Sequence, residues 1–266
     1  MGAVYPSPNT LPQGLPSGRP SAGPVGEGTL LLSPSPRGRG PGGGAFTATL
    51  LHWALHTRFP GRIALVSSFG AESAVLLHMV AAIDRATPVV FLDTGKLFPE
   101  TLQYRETLAA RLGLGDIRTA CPERARIAKL DPAGDLWRGD PDSCCWQRKV
   151  EPLDAALAGF AAWITGRKRF QGGARAALEP IEREPDGRVK VNPLADWTEA
   201  DIAAYFARHD LPPHPLAARG FRSIGCAPCT RPVRPGEDAR AGRWAGRAKT
   251  ECGIHLRRPA PERLPA

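Results

Sequence analysis

IALVSSFGAESAVLLHMVAAI, Ile63 to Ile83, is the stretch on which the fold turns. Ile63 to Phe69 is a short apolar run, Gly70 marks a turn, and Ser73 to Ile83 carries apolar residues at helical spacing, so the segment predicts strand, turn and helix. The pattern repeats downstream: a strand over Pro88 to Thr94 precedes a helix over Pro99 to Leu112, and a strand over Ile117 to Cys121 precedes a helix over Pro122 to Leu130. Alternating strands and helices predict an α/β fold, an open, mostly parallel twisted sheet with helices on both faces. Cys144 to Leu157 reads as helical despite Pro152, Ala161 to Thr165 as a fourth strand and Val189 to Val191 as a fifth. Thr198 is expected to cap a helix running to about His209, with Glu199 and Asp201 favourable in its first turn.

Outside this region the composition changes. Residues 1–44 are crowded with Pro, Gly and Ser and lack apolar periodicity, which predicts a disordered extension; the prolines and glycines argue against an amphipathic transit peptide. Residues 45–211 are expected to form the nucleotide-binding α/β domain, and 212–266 an irregular Cys- and Arg-rich C-terminal segment folded over it. No apolar run reaches the roughly 18 to 20 residues of a membrane-spanning helix, and no secretory signal pattern stands at the start, so a soluble, cytoplasmic protein with no membrane partner is expected. A net charge of +9 and a pI near 9.7 point to an anionic partner without choosing between nucleic acid and a small phosphorylated or sulfated molecule. Six cysteines in 266 residues are too few for a disulfide scaffold and imply a reducing compartment.

The turn SSFGAES, Ser67 to Ser73, lies where a strand hands over to a helix. Its backbone N–H groups and hydroxyls can converge on an anion at the helix N-terminus; the bland alternative is an ordinary turn in which Gly70 satisfies the backbone geometry and Ser73 caps the helix. The second strand runs into FLDTGKLFPET, which puts Asp93 at a strand's carboxyl end, where open α/β sheets bind ligands.

The cysteines carry the most specific signal. Cys144 and Cys145 are adjacent, and Cys226 and Cys229 form a C-x-x-C far downstream. Four thiolates suit structural zinc or a [4Fe–4S] cluster, with inert buried thiols or a disulfide as the alternative. Neighbouring residues point in different directions, so bringing both onto one tetrahedral ion strains the backbone, whereas a cubane offers separate corners. Cations crowd these thiols: Arg148 and Lys149 follow the pair, while Arg231, Arg234, Arg240, Arg243 and Arg247 follow the C-x-x-C. Arg167, Lys168 and Arg169 follow the fourth strand. Cys252, with Lys249 three residues before and His255 three after, has the cationic company that favours a thiolate nucleophile, although a lone cysteine is commonly incidental. Cys121 reads as a small core residue, and His52, His56, His78, His209 and His214 as structural.

Taken together, SSFGAES, LDTG, CCWQRKVEPL, WITGRKR, GCAPCTRPV and ECGIHL resemble, in this order, the family of phosphoadenylyl-sulfate and adenylyl-sulfate reductases over about residues 59–256. The loop is also similar to the S-G-G-x-D-S turn of ATP pyrophosphatases, with Phe69 in place of a glycine and Glu72 in place of the aspartate. The resemblance implies an adenine nucleotide alpha hydrolase-like fold of the PP-loop type. It also implies the cluster-bearing branch, with a [4Fe–4S] cluster on Cys144, Cys145, Cys226 and Cys229 and adenylyl sulfate as substrate. Carried over by position, it makes Cys252 the nucleophile and puts Lys149 between cluster and substrate. Arg240 and Arg243 then fall on the phosphosulfate, and Ser68, Gly70, Ser73, Asp93, Arg169 and His255 in the substrate site. Thioredoxin or glutaredoxin would be the reductant; nucleic acid is not expected, and a homo-oligomer is left open. Two departures stand out. Relatives read T-G-x-R-R-D-Q then Ser-Pro where this chain has Lys168, Arg169, Phe170 and later two glycines, and they carry an N-terminal helical segment of which Ala45 to Phe59 is a candidate remnant. The rival readings are a reductase of the 3′-phosphorylated nucleotide, a PP-loop tRNA thiolation enzyme, and a non-enzymatic iron–sulfur or zinc module.

Overall fold

The computed structural model describes residues 43–256. The expectation of a disordered extension falls, up to residue 42, outside the described residues, while Gly43 and Gly44 open a helix. That helix, α1 (Gly43–His52), continues as π-helical turns over Trp53–Arg58, so the remnant expected at Ala45 to Phe59 is helical. The elements that follow are β1 (Ile63–Ser67), α2 (Ser73–Ile83), β2 (Val89–Leu92), α3 (Pro99–Leu112), β3 (Ile117–Ala120) and α4 (Arg124–Leu130). Then come α5 (Leu136–Gly139), α6 (Pro141–Cys145), a π-helical turn Trp146–Val150 and α7 (Glu151–Ala156). The last are β4 (Ala162–Ile164), β5 (Ile181–Arg183), β6 (Val189–Val191), α8 (Glu199–Arg208) and α9 (Gly253–Leu256).

Six strands form one sheet in the order β3-β2-β1-β4-β6-β5, parallel except for β5, which pairs antiparallel to β6. Strand alternation divides the core in two. Ile63 and Leu65 of β1, Val89 and Phe91 of β2, and Ala162 and Ile164 of β4 face α1, α2, α3 and α8. Ala64, Val90, Leu92 and Trp163 face the opposite way, against Leu153 of α7 and the adjoining Leu157. Both faces are therefore covered, which is why these strands read as continuous apolar runs.

From β1 the chain moves outward to β2 and β3, then returns to the other side of β1 for β4. Neighbouring strands β1 and β4 thus send their carboxyl ends into loops that part in opposite directions, and a crevice opens there.

Three expectations need correction. A sixth strand, β5, went unread because it is three residues of Ile-Glu-Arg on an edge, too short for periodicity; the Pro185-Asp186-Gly187 turn behind it, with Gly187 at φ +85°, was the available signal. Cys121 is exposed just beyond β3 and is not a core residue. The single helix expected over Cys144 to Leu157 is three joined pieces, with the π-helical turn directly after the cysteine pair. The capping of α8 is as expected, with Thr198 and Asp201 bonding reciprocally in a capping box. Among the described residues no helix is long and apolar enough to cross a membrane.

Candidate active site

The crevice between β1 and β4 is a cleft of about 180 Å³. Its floor is Leu65 and Trp163, and one wall is the β1–α2 turn, where Ser68, Gly70 and Ser73 face the opening. Phe69 holds this turn in shape. Its φ of +47° is one that L side chains rarely adopt, while its ring is fully buried edge-on to Phe91 at 5.4 Å and its N–H donates to Ser67 Oγ at 3.2 Å. Gly70 is required for space, since a Cβ there would lie 3.3 Å from the carbonyl oxygen of Ile224.

The opposite wall is cationic. Arg167, Lys168 and Arg175 from the chain after β4, and Arg240 and Arg243 from the C-terminal segment, all line the cleft. Several are already held by carboxylates: Lys168 Nζ lies 2.8 Å from Glu72, Arg167 2.5 Å from Glu182, and Arg175 2.5 Å from Glu251. Glu72, standing where ATP pyrophosphatases have aspartate, thus ties the phosphate turn to the far wall and also accepts from Gln171 Nε2 at 3.1 Å. Arg243 pairs with no carboxylate among the described residues; its Nη1 reaches the Ile224 carbonyl at 3.3 Å and its buried Nε has no partner. Burial and the neighbouring Arg175, opposed by Glu251, push Arg240 down to about 10.

His255 closes the floor. Its ring lies parallel to that of Trp163, the centroids 5.9 Å apart, and its buried Nδ1 is unpartnered. Burial, followed by Arg167, Arg175, Lys190 and Arg240, pushes its pKa well below the ordinary value, so it presents a neutral imidazole. Two unpartnered buried groups at one cleft, Arg243 Nε and His255 Nδ1, suit a polar ligand.

Beside this cleft lies a much smaller pocket lined by Cys144, Cys145, Cys226 and Cys229. Asp140 caps α6 by accepting from the N–H groups of Asp142 and Ser143, which sets the cysteine pair at the helix end. The loop after β2 anchors the other pair: Ala227 N–H donates to the Lys96 carbonyl at 2.8 Å, and Thr94 Oγ1 lies 3.2 Å from Cys226 Sγ. Lys96, Arg148, Lys149 and Arg243 surround the thiols, and all six cysteines of the chain are free. Among the described residues no three His, Cys, Asp or Glu side chains close on a point for a single ion. The thiols line a pocket with cations around it, a soft donor set of the kind that holds a metal centre.

Arg243 lines both pockets; Cys252 lines neither, but it contacts Cys145 of the cysteine pocket and precedes Ile254 and His255 of the cleft. It is buried, its successors Ile254 and His255 face the cleft, and its thiol bonds to that of Cys145. The Cys145 hydrogen bond, joined by Lys149, the Ile254 N–H and Arg243, holds Cys252 well below the usual thiol range against the effect of burial. Gly253 leaves α9 room to approach, since a Cβ there would lie 3.0 Å from Val150 Cγ2.

Of the residues singled out from sequence, the structure brings Ser68, Gly70, Ser73, Arg240, Arg243 and His255 to the cleft. Lys149 belongs to the cysteine pocket instead. Two expected substrate ligands lie elsewhere. Asp93 accepts from Gly95 N–H at 2.9 Å within its own turn and does not line the cleft. Arg169 is turned away: Lys168 is extended at φ −140° and ψ 145°, so successive side chains point oppositely, Lys168 into the cleft and Arg169 to Asp196 and the Leu178 carbonyl. Gln171, Arg175, Glu251 and Trp163 were not singled out as site residues. Gln171 stands where relatives' T-G-x-R-R-D-Q pattern ends and Glu251 opens the ECGIHL segment, both usable signals, whereas nothing local marked Arg175.

Residues 62–232 match the family model described as phosphoadenosine phosphosulfate reductase domain. An adenosine 5′-phosphosulfate reductase from Mesorhizobium japonicum is 59% identical over 198 residues, spanning 74% of this chain and 78% of the relative. Among solved structures, the phosphoadenylyl-sulfate reductase from Candida auris in its phosphate complex aligns with a TM-score of 0.59 at 29% identity, covering 70% of this chain and 90% of that one. The FMN adenylyltransferase of Candida glabrata in its ATP complex, at 17% identity, has a TM-score of 0.53 over 82% of this chain and 71% of its own, and shares the fold alone.

Proposed function

This chain belongs to the phosphoadenosine phosphosulfate reductase family, and we propose that it reduces adenylyl sulfate to sulfite and AMP in sulfate assimilation, with Cys252 as nucleophile. The observation that carries the mechanism is the place of Cys252, a buried cysteine between residues of a cationic cleft and those of a four-cysteine pocket, with Lys149 and Arg243 as its neighbouring cations.

In this reading the first turn of α2 and the Ser68 to Ser73 loop hold the nucleotide phosphate, while Arg175, Arg240 and Arg243 take up the charge of the phosphosulfate. The Cys252 thiolate attacks the sulfur of the sulfonyl group. A sulfur–sulfur bond forms, the bond from sulfur to the bridging phosphate oxygen breaks, and AMP departs with that electron pair. A protein dithiol, thioredoxin or glutaredoxin, then attacks the Cys252 sulfur and expels sulfite. Its second thiol resolves the mixed disulfide, supplying the two electrons and returning Cys252. Cys144, Cys145, Cys226 and Cys229 would hold a [4Fe–4S] cluster, which when bound contributes its charge and a fixed position beside the substrate. Lys149 and Arg243 stand between that site and Cys252 as the balancing cations. Free thiols in this number agree with a cytoplasmic, reducing setting.

The decisive test is Cys252→Ser. The variant should keep its iron and inorganic sulfide, bind AMP and form no S-sulfonate, and sulfite production by it would refute the assignment. Sulfite release from adenylyl sulfate against its 3′-phosphorylated form measures the substrate choice directly.

A further inference from the structure

Glu251 precedes the nucleophile and is buried, and its carboxylate gathers donors from three separate segments. Oε1 accepts from Cys252 N–H at 2.8 Å, from Arg175 Nη2 at 2.9 Å and from Arg240 Nη2 at 3.3 Å; Oε2 accepts from Arg175 Nε at 2.5 Å. Arg175 therefore grips it with two nitrogens, the planar fork geometry that leaves a guanidinium little freedom to swing. The chain of contacts continues, since Arg175 Nη1 donates to Gln171 Oε1 and Gln171 Nε2 donates to Glu72, the carboxylate of the phosphate turn. A line of hydrogen bonds thus runs from the turn that would seat the nucleotide to the backbone N–H of Cys252. Burial alone would raise the pKa of Glu251, but Arg175 and Arg240 hold it at about 2, so the carboxylate keeps its charge.

We infer that Glu251 is a positioning residue: bonded at once to the backbone of Cys252 and to two arginines of the cleft, it fixes where the thiolate stands relative to the bound phosphosulfate. The inference rests on the assignment of Cys252 as nucleophile. A purely structural ion pair would need only Arg175. The bond to Cys252 N–H and the shared bond to Arg240, which also donates to the Thr250 carbonyl at 3.0 Å, attach the pair to the reacting segment itself. Opposing charge enters the argument too. An incoming phosphosulfate meets arginines whose direction is set but whose attraction is partly taken up by Glu251, so this carboxylate favours geometry over ground-state affinity.

The experiment is Glu251→Gln on the full chain purified with its iron. Single-turnover reaction with adenylyl sulfate, quenched and read by site-resolved mass spectrometry, gives the rate of S-sulfonate formation on Cys252; equilibrium binding of AMP is measured in parallel. Sulfonation should slow by roughly ten- to a hundredfold, the scale on which about 1 Å of misplacement acts, while AMP binds as tightly as before or more so. A wild-type sulfonation rate would overturn the inference. So would a slowed rate accompanied by an equal loss of AMP affinity, because that is what general loosening produces. Should the glutamine variant not fold, Glu251→Asp keeps the charge but cannot reach Cys252 N–H and both arginines together, and it too should bind AMP normally and sulfonate slowly; wild-type speed in it would also overturn the inference. Sulfonate found on another cysteine of the wild-type protein would instead sink the nucleophile assignment, a result distinct from either Glu251 outcome.

Discussion

Replacing Phe69 tests whether the phosphate turn is held in a costly backbone shape by a buried ring. The residue sits at φ +47° with no solvent exposure, edge-on to Phe91. Removing such a ring costs about 3–5 kcal/mol in lost burial and cavity, whereas the left-handed backbone of a non-glycine residue itself costs about 1–3 kcal/mol. Phe69→Gly loses the ring but relieves the strain, so a net destabilisation of about 2–4 kcal/mol is expected. Phe69→Ala loses the ring and keeps the strain. After the greater freedom of glycine in the unfolded chain is subtracted, the alanine variant should be about 1 kcal/mol less stable than the glycine variant, the reverse of their order in a helix. Denaturant unfolding of both variants measures the difference, and AMP binding reports whether the turn keeps its shape. The glycine variant should still bind AMP, because glycine adopts the same φ without penalty. An alanine variant as stable as the glycine variant would refute the strain argument, and a glycine variant equal to wild type would refute the role of the ring.

Gly225→Ala places a Cβ against the guanidinium of Arg243, so the variant should fold yet lose most of its adenylyl sulfate turnover through displacement of that cation; unchanged kinetics would show that Arg243 is not needed where it stands. Acid should weaken the fold in a defined window. His214, fully buried and bonded to Thr101 Oγ1 at 3.1 Å, has its pKa pushed from 6.5 down to about 4 by burial. Between those values the unfolded chain binds a proton that the native one refuses, so the contribution is unchanged above pH 6.5 and is lost as pH falls towards 4, up to about 3 kcal/mol. Glu251, held at about 2, adds a loss as pH falls below its ordinary 4.5. Melting temperatures that stay flat from pH 7 to pH 4 would contradict the His214 assignment, and the absence of a further loss between pH 4.5 and about 2 that of Glu251.

Much of this architecture could be read before any coordinates. Helix α2, from Ser73 to Ile83, and helix α3, from Pro99 to Leu112, fall where the sequence put them: α2 is apolar and buried on most of its sides, whereas α3 buries Tyr104, Leu108 and Leu112 along one stripe, starts at Pro99 and is capped by Gly113. The two cysteine pairs stood out as candidates, since adjacency and C-x-x-C spacing are properties of short segments, whereas Cys252 became a candidate only in the company of the other motifs. What escaped was orientation and long-range pairing. Lys168 and Arg169 are neighbours of like charge, and only the extended backbone between them sends one to the cleft and the other to Asp196. Lys149 follows the cysteine pair closely in sequence and remains with it in space, whereas Arg243, far away in the chain, reaches both pockets.

By itself, then, the amino-acid order determined the alternation of strands and helices and the two cysteine pairs, because those depend on residues a few positions apart. Tertiary structure alone decided that β1 and β4 lie side by side with their loops parting, that β5 closes the sheet edge as an antiparallel strand, and that Arg175 and Glu251, 76 positions apart, grip each other beneath Cys252. Such pairings are selected by burial and charge across the whole chain, a sum that no local window contains.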